Sequence, residues 1–129
     1  MVSAGTELAI LSGLEGWAPL PFVPGYGAVG RVLAAGQDVN HFKPGARVFC
    51  YGPHQTKSLV RRMLLPVPEG LDPRHAVLAR MAQVAYTSVR ASGCELGDTV
   101  AVQGLGLVGN FAAQLFTLAG CTVIGLDVS

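Results

Sequence analysis

The residues with the plainest chemistry are Gly104-Leu105-Gly106-Leu107-Val108-Gly109, a GxGxxG run. Such a run cradles a pyrophosphate. The first glycine permits a tight turn, the second lets a phosphate approach the backbone, and the third lets a helix pack closely on a strand. The phosphates then sit on free N–H groups at the helix start, where the dipole favours negative charge. Asp127 follows eighteen residues after Gly109, near the place of a carboxylate that accepts hydrogen bonds from a ribose. The implied cofactor is a dinucleotide, and the acid favours NAD. The extra 2′-phosphate of NADP would meet like charge, at about 4 kcal/mol per unit-charge pair for ~4 Å and an effective dielectric near 20. No arginine follows in Val128-Ser129, and NADP stays open as the alternative.

The surrounding pattern supplies the elements that such a turn needs. Val100 and Val102 with their apolar neighbours read as a short strand of a sheet buried on both faces. A helix follows, with Asn110, Gln114 and Thr117 in one polar stripe and Phe111, Ala112, Leu115 and Leu118 on the other faces. Gly120 stops it. Cys121 to Leu126 returns as a second apolar strand, closed by Asp127. The competing reading is a structural glycine turn in some other α/β sheet. Thr99 to Leu126 carries no charge, so its hydropathy imitates a membrane span. The glycines and the polar stripe break that run and argue for no membrane.

The chain has 129 residues. A dinucleotide-binding sheet needs about six parallel strands, and two are present. The sequence therefore reads as a fragment, or a truncated product, spanning parts of two domains. By itself it is expected to bind NAD weakly or not at all. Only 13% of residues are charged, against about 25% in typical soluble domains, so apolar faces are expected to be covered by other parts. Net charge is +1, and the one basic pair, Arg61-Arg62, reads as a solvated strand edge. No nucleic acid partner is implied. Cys50, Cys94 and Cys121 are odd in number and far apart, so neither a disulfide framework nor a cysteine zinc site is expected. The first residues lack a secretory signal, and a cytoplasmic location is the default.

Earlier in the chain, Gly5-Thr6-Glu7 reads as a turn into a short helix, Leu8 to Ser12. A loop with Trp17 follows. Strands are expected at Ala28 to Ala35, Arg47 to Tyr51 and Ser58 to Pro66, between Gly/Pro turns, as in a small β-barrel or sandwich. Asp72-Pro73 opens a helix, with Asp72 as cap. That helix is expected to run to about Ser92, apolar on most sides and largely buried, and to end at Gly93. The expected division is a first domain over 1–92, including this connecting helix, and a nucleotide domain starting over 93–129.

SAGTE (Ser3 to Glu7), PGYGAVGRV (Pro24 to Val32), FKPGARVF (Phe42 to Phe49), LPVPEGL (Leu65 to Leu71) and GDTVAVQGLGLVG (Gly97 to Gly109) occur in this order. Together they resemble the medium-chain dehydrogenase/reductase superfamily, the zinc alcohol dehydrogenase-like fold. The resemblance implies an α/β chain of two partial domains: a GroES-like β-barrel catalytic domain followed by the first βαβ unit of a Rossmann dinucleotide-binding domain. It places the active site in the cleft between them. It implies more sequence before Ser3 and after Ser129, a small-molecule substrate, and a homo-oligomer at full length. Zinc-dependent relatives have a cysteine where Ala4 stands, Gly-His-Glu where Gly25-Tyr26-Gly27 stands, and a third ligand near Arg80. Alanine cannot ligate zinc, tyrosine rarely does, and arginine repels it. The expectation is no zinc and no other metal. SAGTE with PGY is most similar to a zinc-independent branch that includes bacteriochlorophyllide dehydrogenase-like oxidoreductases.

The implied function is an NAD(P)-dependent oxidoreductase that transfers a hydride between nicotinamide and a small carbonyl, alcohol or enone. Without zinc, a developing oxyanion needs hydrogen-bond donors. Thr6 matches the position where a family hydroxyl relays the substrate proton. Tyr26 stands where a metal ligand would point into the cleft, and its phenol can donate. His54 follows a Gly-Pro turn, and a histidine can titrate near neutral pH. Against these roles stand a helix cap for Thr6, a core aromatic for Tyr26 and an ordinary loop residue for His54. Two readings without turnover compete: a nucleotide-binding redox sensor and an inactive truncated product.

Overall fold

The computed structural model describes residues 1–61 and 63–128. Arg62 and Ser129 lie outside the described residues, and with them half of the expected basic strand edge; Arg61 is exposed and lies in no strand. The chain divides into two compact units, Met1–Val77 and Leu78–Ser129.

The first unit opens with α1, Ala4–Leu11. It starts earlier than the expected Leu8, and Thr6 lies inside it. The reason is Glu7. Its carboxylate reaches back to accept from Ser3 N–H at 3.0 Å, while Glu7 N–H donates to Ser3 carbonyl at 2.9 Å. This is the acid half of a capping box, one position late, since the Ser3 side chain makes no cap bond. Three short strands follow: β1 (Ala28–Arg31), β2 (Arg47–Cys50) and β3 (Leu64–Pro66). They form one antiparallel sheet in that order, with Val29 opposite Phe49 and Phe49 opposite Leu65. The central strand buries Val48, Phe49 and Cys50 in succession. β3 is shorter than expected because Met63 takes a positive φ of 45° just before it, which ends regular pairing. At the end of the unit, α2 (Pro73–Ala76) carries the expected cap: Asp72 accepts from Arg74 N–H at 2.8 Å.

The expected single helix from Pro73 to Ser92 is two. After α2, a new helix α3 runs Ala79–Ser92 and belongs to the second unit. It buries only Met81 and Ala85, so it is amphipathic and not largely buried. Thr87, Ser88 and Ser92 each spend a hydroxyl on a carbonyl of the preceding turn. The compact units part at Val77/Leu78, because α3 packs against the next helix.

That helix is α4, Leu107–Leu118, which connects β4 (Thr99–Gln103) to β5 (Thr122–Leu126). The two strands pair in parallel, Thr99 opposite Thr122 through Gln103 opposite Leu126. Ala85 of α3, Val102 of β4, Ala112 and Phe116 of α4, and Cys121 form one buried cluster. The sheet is covered on that face alone among the described residues. Ile124 and Leu126 are 50% and 51% exposed, so the strand pattern of a sheet buried on both faces is met on one. The uncharged run from Thr99 to Leu126 is thus strand, helix and strand. No helix among the described residues is long and apolar enough to cross a membrane.

Candidate functional site

The turn after β4 shows three glycines held for three different reasons. Gly104 has a φ of 86°, open to glycine at little cost. A Cβ at Gly109 would overlap the Gly104 carbonyl oxygen, so helix and turn touch backbone to backbone there. Gly106 has an ordinary φ of −59°, and a Cβ there would meet nothing within 4 Å. The chain itself does not require glycine at 106. The open space lies beside the start of α4, whose first-turn N–H groups have no acceptor within the helix. The donor set fits a pyrophosphate.

Asp127 lies on the same turn. Its Oδ2 accepts from Leu105 N–H at 2.5 Å and its Oδ1 from Val128 N–H at 2.7 Å. Both bonds fix the carboxylate beside the turn, where a ribose would follow a bound pyrophosphate. Alongside, Asn110 and Gln114 bond to each other at 2.6 Å and line a shallow depression of about 530 Å³ with Leu105 and Gly125.

The first unit brings three distant segments together. His54 N–H donates to Pro24 carbonyl at 2.7 Å. A Cβ on Gly25, whose φ is 139°, would stand 2.7 Å from both His54 N and Pro53 Cα. The loop before Tyr26 therefore lies directly on the Gly-Pro-His turn. The His54 ring reaches the third segment: Nε2 lies 3.1 Å from Glu7 Oε1 and 3.4 Å from Oε2, across 47 residues. Burial pushes the Glu7 carboxyl up, but the Ser3 N–H and the His54 ring together outweigh it, and the carboxyl is held below its ordinary 4.5. Thr6 and Tyr26 are half-buried. Glu7 was missed as a functional candidate; its partner is too far along the chain for spacing to show.

His41 and His75 are exposed. Burial pushes the Cys50 and Cys121 thiols up, so both are poor nucleophiles. Among the described residues, no group of three His, Cys, Asp or Glu stands where it could hold a metal ion.

Residues 3–65 match the alcohol dehydrogenase GroES-like domain. D-guloside 3-dehydrogenase of Escherichia coli (strain K12) is 36% identical over 104 residues, covering 77% of this chain and 30% of that protein. Quinone oxidoreductase of Mus musculus is 32% identical over 130 residues, covering 92% and 39%. Among solved structures, a putative zinc-binding dehydrogenase from Sinorhizobium meliloti 1021 bound to NADP is similar with a TM-score of 0.74 at 28% identity, over 95% of this chain and 45% of that one. The chain belongs to the medium-chain dehydrogenase/reductase superfamily. It spans less than half the length of these relatives.

Within this superfamily the relatives are oxidoreductases by name, and the first unit is a partial GroES-like domain. Of the residues expected at the superfamily's zinc-ligand positions, Ala4 is the exposed first residue of α1 and Tyr26 is half-buried in its loop. Arg80 lies in the first turn of α3, with Nη1 donating to Gln83 Oε1 at 2.8 Å.

Proposed function

We propose that the chain carries the cofactor turn and the proton-handling residues of a zinc-independent oxidoreductase of this superfamily. It would use NAD and act on a small carbonyl, alcohol or enone. The observation that carries the reading is Gly106, a glycine that nothing in the chain demands. Gly104, Leu105 and Gly106 with Leu107, Val108 and Gly109 hold the pyrophosphate, and Asp127 holds the ribose. The nicotinamide, when bound, gives or takes the hydride. Zinc independence rests on Ala4 and Arg80, whose side chains cannot ligate a cation.

The chain's own groups supply the rest. The Thr6 hydroxyl and the Tyr26 phenol donate to the oxygen that gains charge as the hydride moves. His54 exchanges the proton that this oxygen takes or gives up. Within the domains of the superfamily, 93–129 is the start of the Rossmann domain; α3 packs on it as the connecting helix. A soluble homo-oligomer in the cytoplasm is the matching cellular form.

Gly106→Ala tests the reading in the protein as its gene encodes it. The melting temperature should stay within about 1 °C, since the new Cβ meets only open space. The dissociation constant for NADH, followed by nicotinamide fluorescence, should rise about tenfold or more, because the Cβ stands where a phosphate must approach. Unchanged affinity with unchanged stability would remove the cofactor turn from the proposal. Tyr26→Phe and Thr6→Ala then address turnover. Unchanged hydride transfer in both would remove the two hydroxyls from the proposed proton path and leave the cofactor turn untouched.

A further inference from the structure

We infer that Glu7 is a positioning residue that fixes the tautomer of His54 and makes Nδ1 the atom that exchanges protons. The inference rests on the proton-handling role proposed for His54 and deepens it. A carboxylate has only acceptor atoms. Glu7 is held ionised by the Ser3 N–H and the ring itself, and its side chain is only 13% exposed, so water competes weakly for it. An Nε2 at 3.1 Å from such an oxygen must carry the proton. The neutral ring is then the Nε2–H form, and the charged ring differs from it by a proton on Nδ1. No hydrogen bond to Nδ1 is found among the described residues, and the His54 side chain is 35% exposed.

The backbone that carries the ring is anchored. His54 N–H is tied to Pro24 carbonyl, and the chain leading into it, from Gly52 to the His54 nitrogen, lies against Gly25 without room for a side chain. Glu7 is tied in turn to the first turn of α1 through Ser3. Each partner is thus fixed by its own segment before they meet, as in other carboxylate–histidine pairs that set a tautomer.

The test is the nitrogen spectrum of the protein labelled with 15N-histidine, with His54→Asn used to assign the signal. At a pH where the ring is neutral, Nε2 should resonate as a protonated nitrogen and Nδ1 as an unprotonated one, at about tenfold preference or more. Glu7→Gln keeps an oxygen that can accept from Ser3 N–H, so helix α1 survives. It removes the charge and offers an amide that can also donate to Nε2. The preference should therefore fall about tenfold in Glu7→Gln, with the far-ultraviolet dichroism unchanged. A neutral wild-type ring protonated on Nδ1 would overturn the inference, and so would an identical ratio in Glu7→Gln. The wild-type spectrum decides the first point even if the variant does not fold. This readout needs no turnover, so it fails separately from the proposed hydride transfer, which His54→Asn tests by rate.

Discussion

Two glycines that look alike in sequence do opposite work. Gly25 precedes Tyr26 in a loop of the first unit, and a methyl group there would strike the backbone of Pro53 and His54. Gly106 precedes Leu107 in the turn of the second unit, and a methyl group there would meet open space. The first glycine serves the chain's own packing. The second is not demanded by the chain's own packing, which is why the proposed cofactor turn rests on it. Asking what a missing side chain would hit separates the two, where the letter G does not.

The comparison breaks most sharply at Gly25→Ala. A φ of 139° and backbone contacts at 2.7 Å combine strain with overpacking, so the loss should reach about 3 kcal/mol or more in urea unfolding. A loss below about 1 kcal/mol would mean that the two loops yield and that Gly25 is no anchor. Gly109→Ala should cost a similar amount, since its Cβ would overlap a carbonyl that belongs to the turn itself. Its stability loss beside a neutral Gly106→Ala would place the division of labour within a single motif.

A middle-sized effect is expected at the acid. Asp127→Ala should weaken NADH binding and bring the NADPH affinity closer to it by about tenfold, through loss of like-charge repulsion. Equal discrimination before and after would show that Asp127 serves only the turn, through Leu105 and Val128. The smallest effect comes from pH. Because the Glu7 carboxyl is held below its ordinary value when folded, its contribution is present above the ordinary 4.5 and is lost as pH falls through the lowered value. Urea midpoints measured from pH 6 down to pH 3 should fall less steeply in Glu7→Gln than in the wild type. Parallel profiles would leave the Glu7–His54 contact without energetic weight.

How far the sequence could be read follows from how local each feature is. β4, the glycine turn, α4 and β5 form one contiguous unit, and each residue's partner lies within about two dozen positions. Their order, parallel pairing and the place of Asp127 were legible for that reason. Asp72 and Gly93 were legible as helix ends because a cap acts on its own turn. The long helix was misread because Val77 and Leu78 continue the apolar pattern across a break that carries no glycine or proline. α1 was placed late because the acid that caps it sits inside the helix. The Glu7–His54 tie was not legible at all: it joins two turns 47 residues apart, and nothing in either turn announces the other.

The exposed flank of the β4–β5 pair has a colloidal consequence. Among the described residues, this ladder of two strands has an unpaired edge on each, and such edges recruit further strands. Here the flank carries Ile124 and Leu126 half in water among uncharged polar residues, and the stretch from Thr99 to Leu126 holds no charge to repel a second copy. Salt has little repulsion to screen in this stretch, so low ionic strength gives little protection. Adhesion between chains should grow with concentration and with temperature, as apolar contact does. The practical remedy is a cover over this flank, or a lysine written into the outer edge.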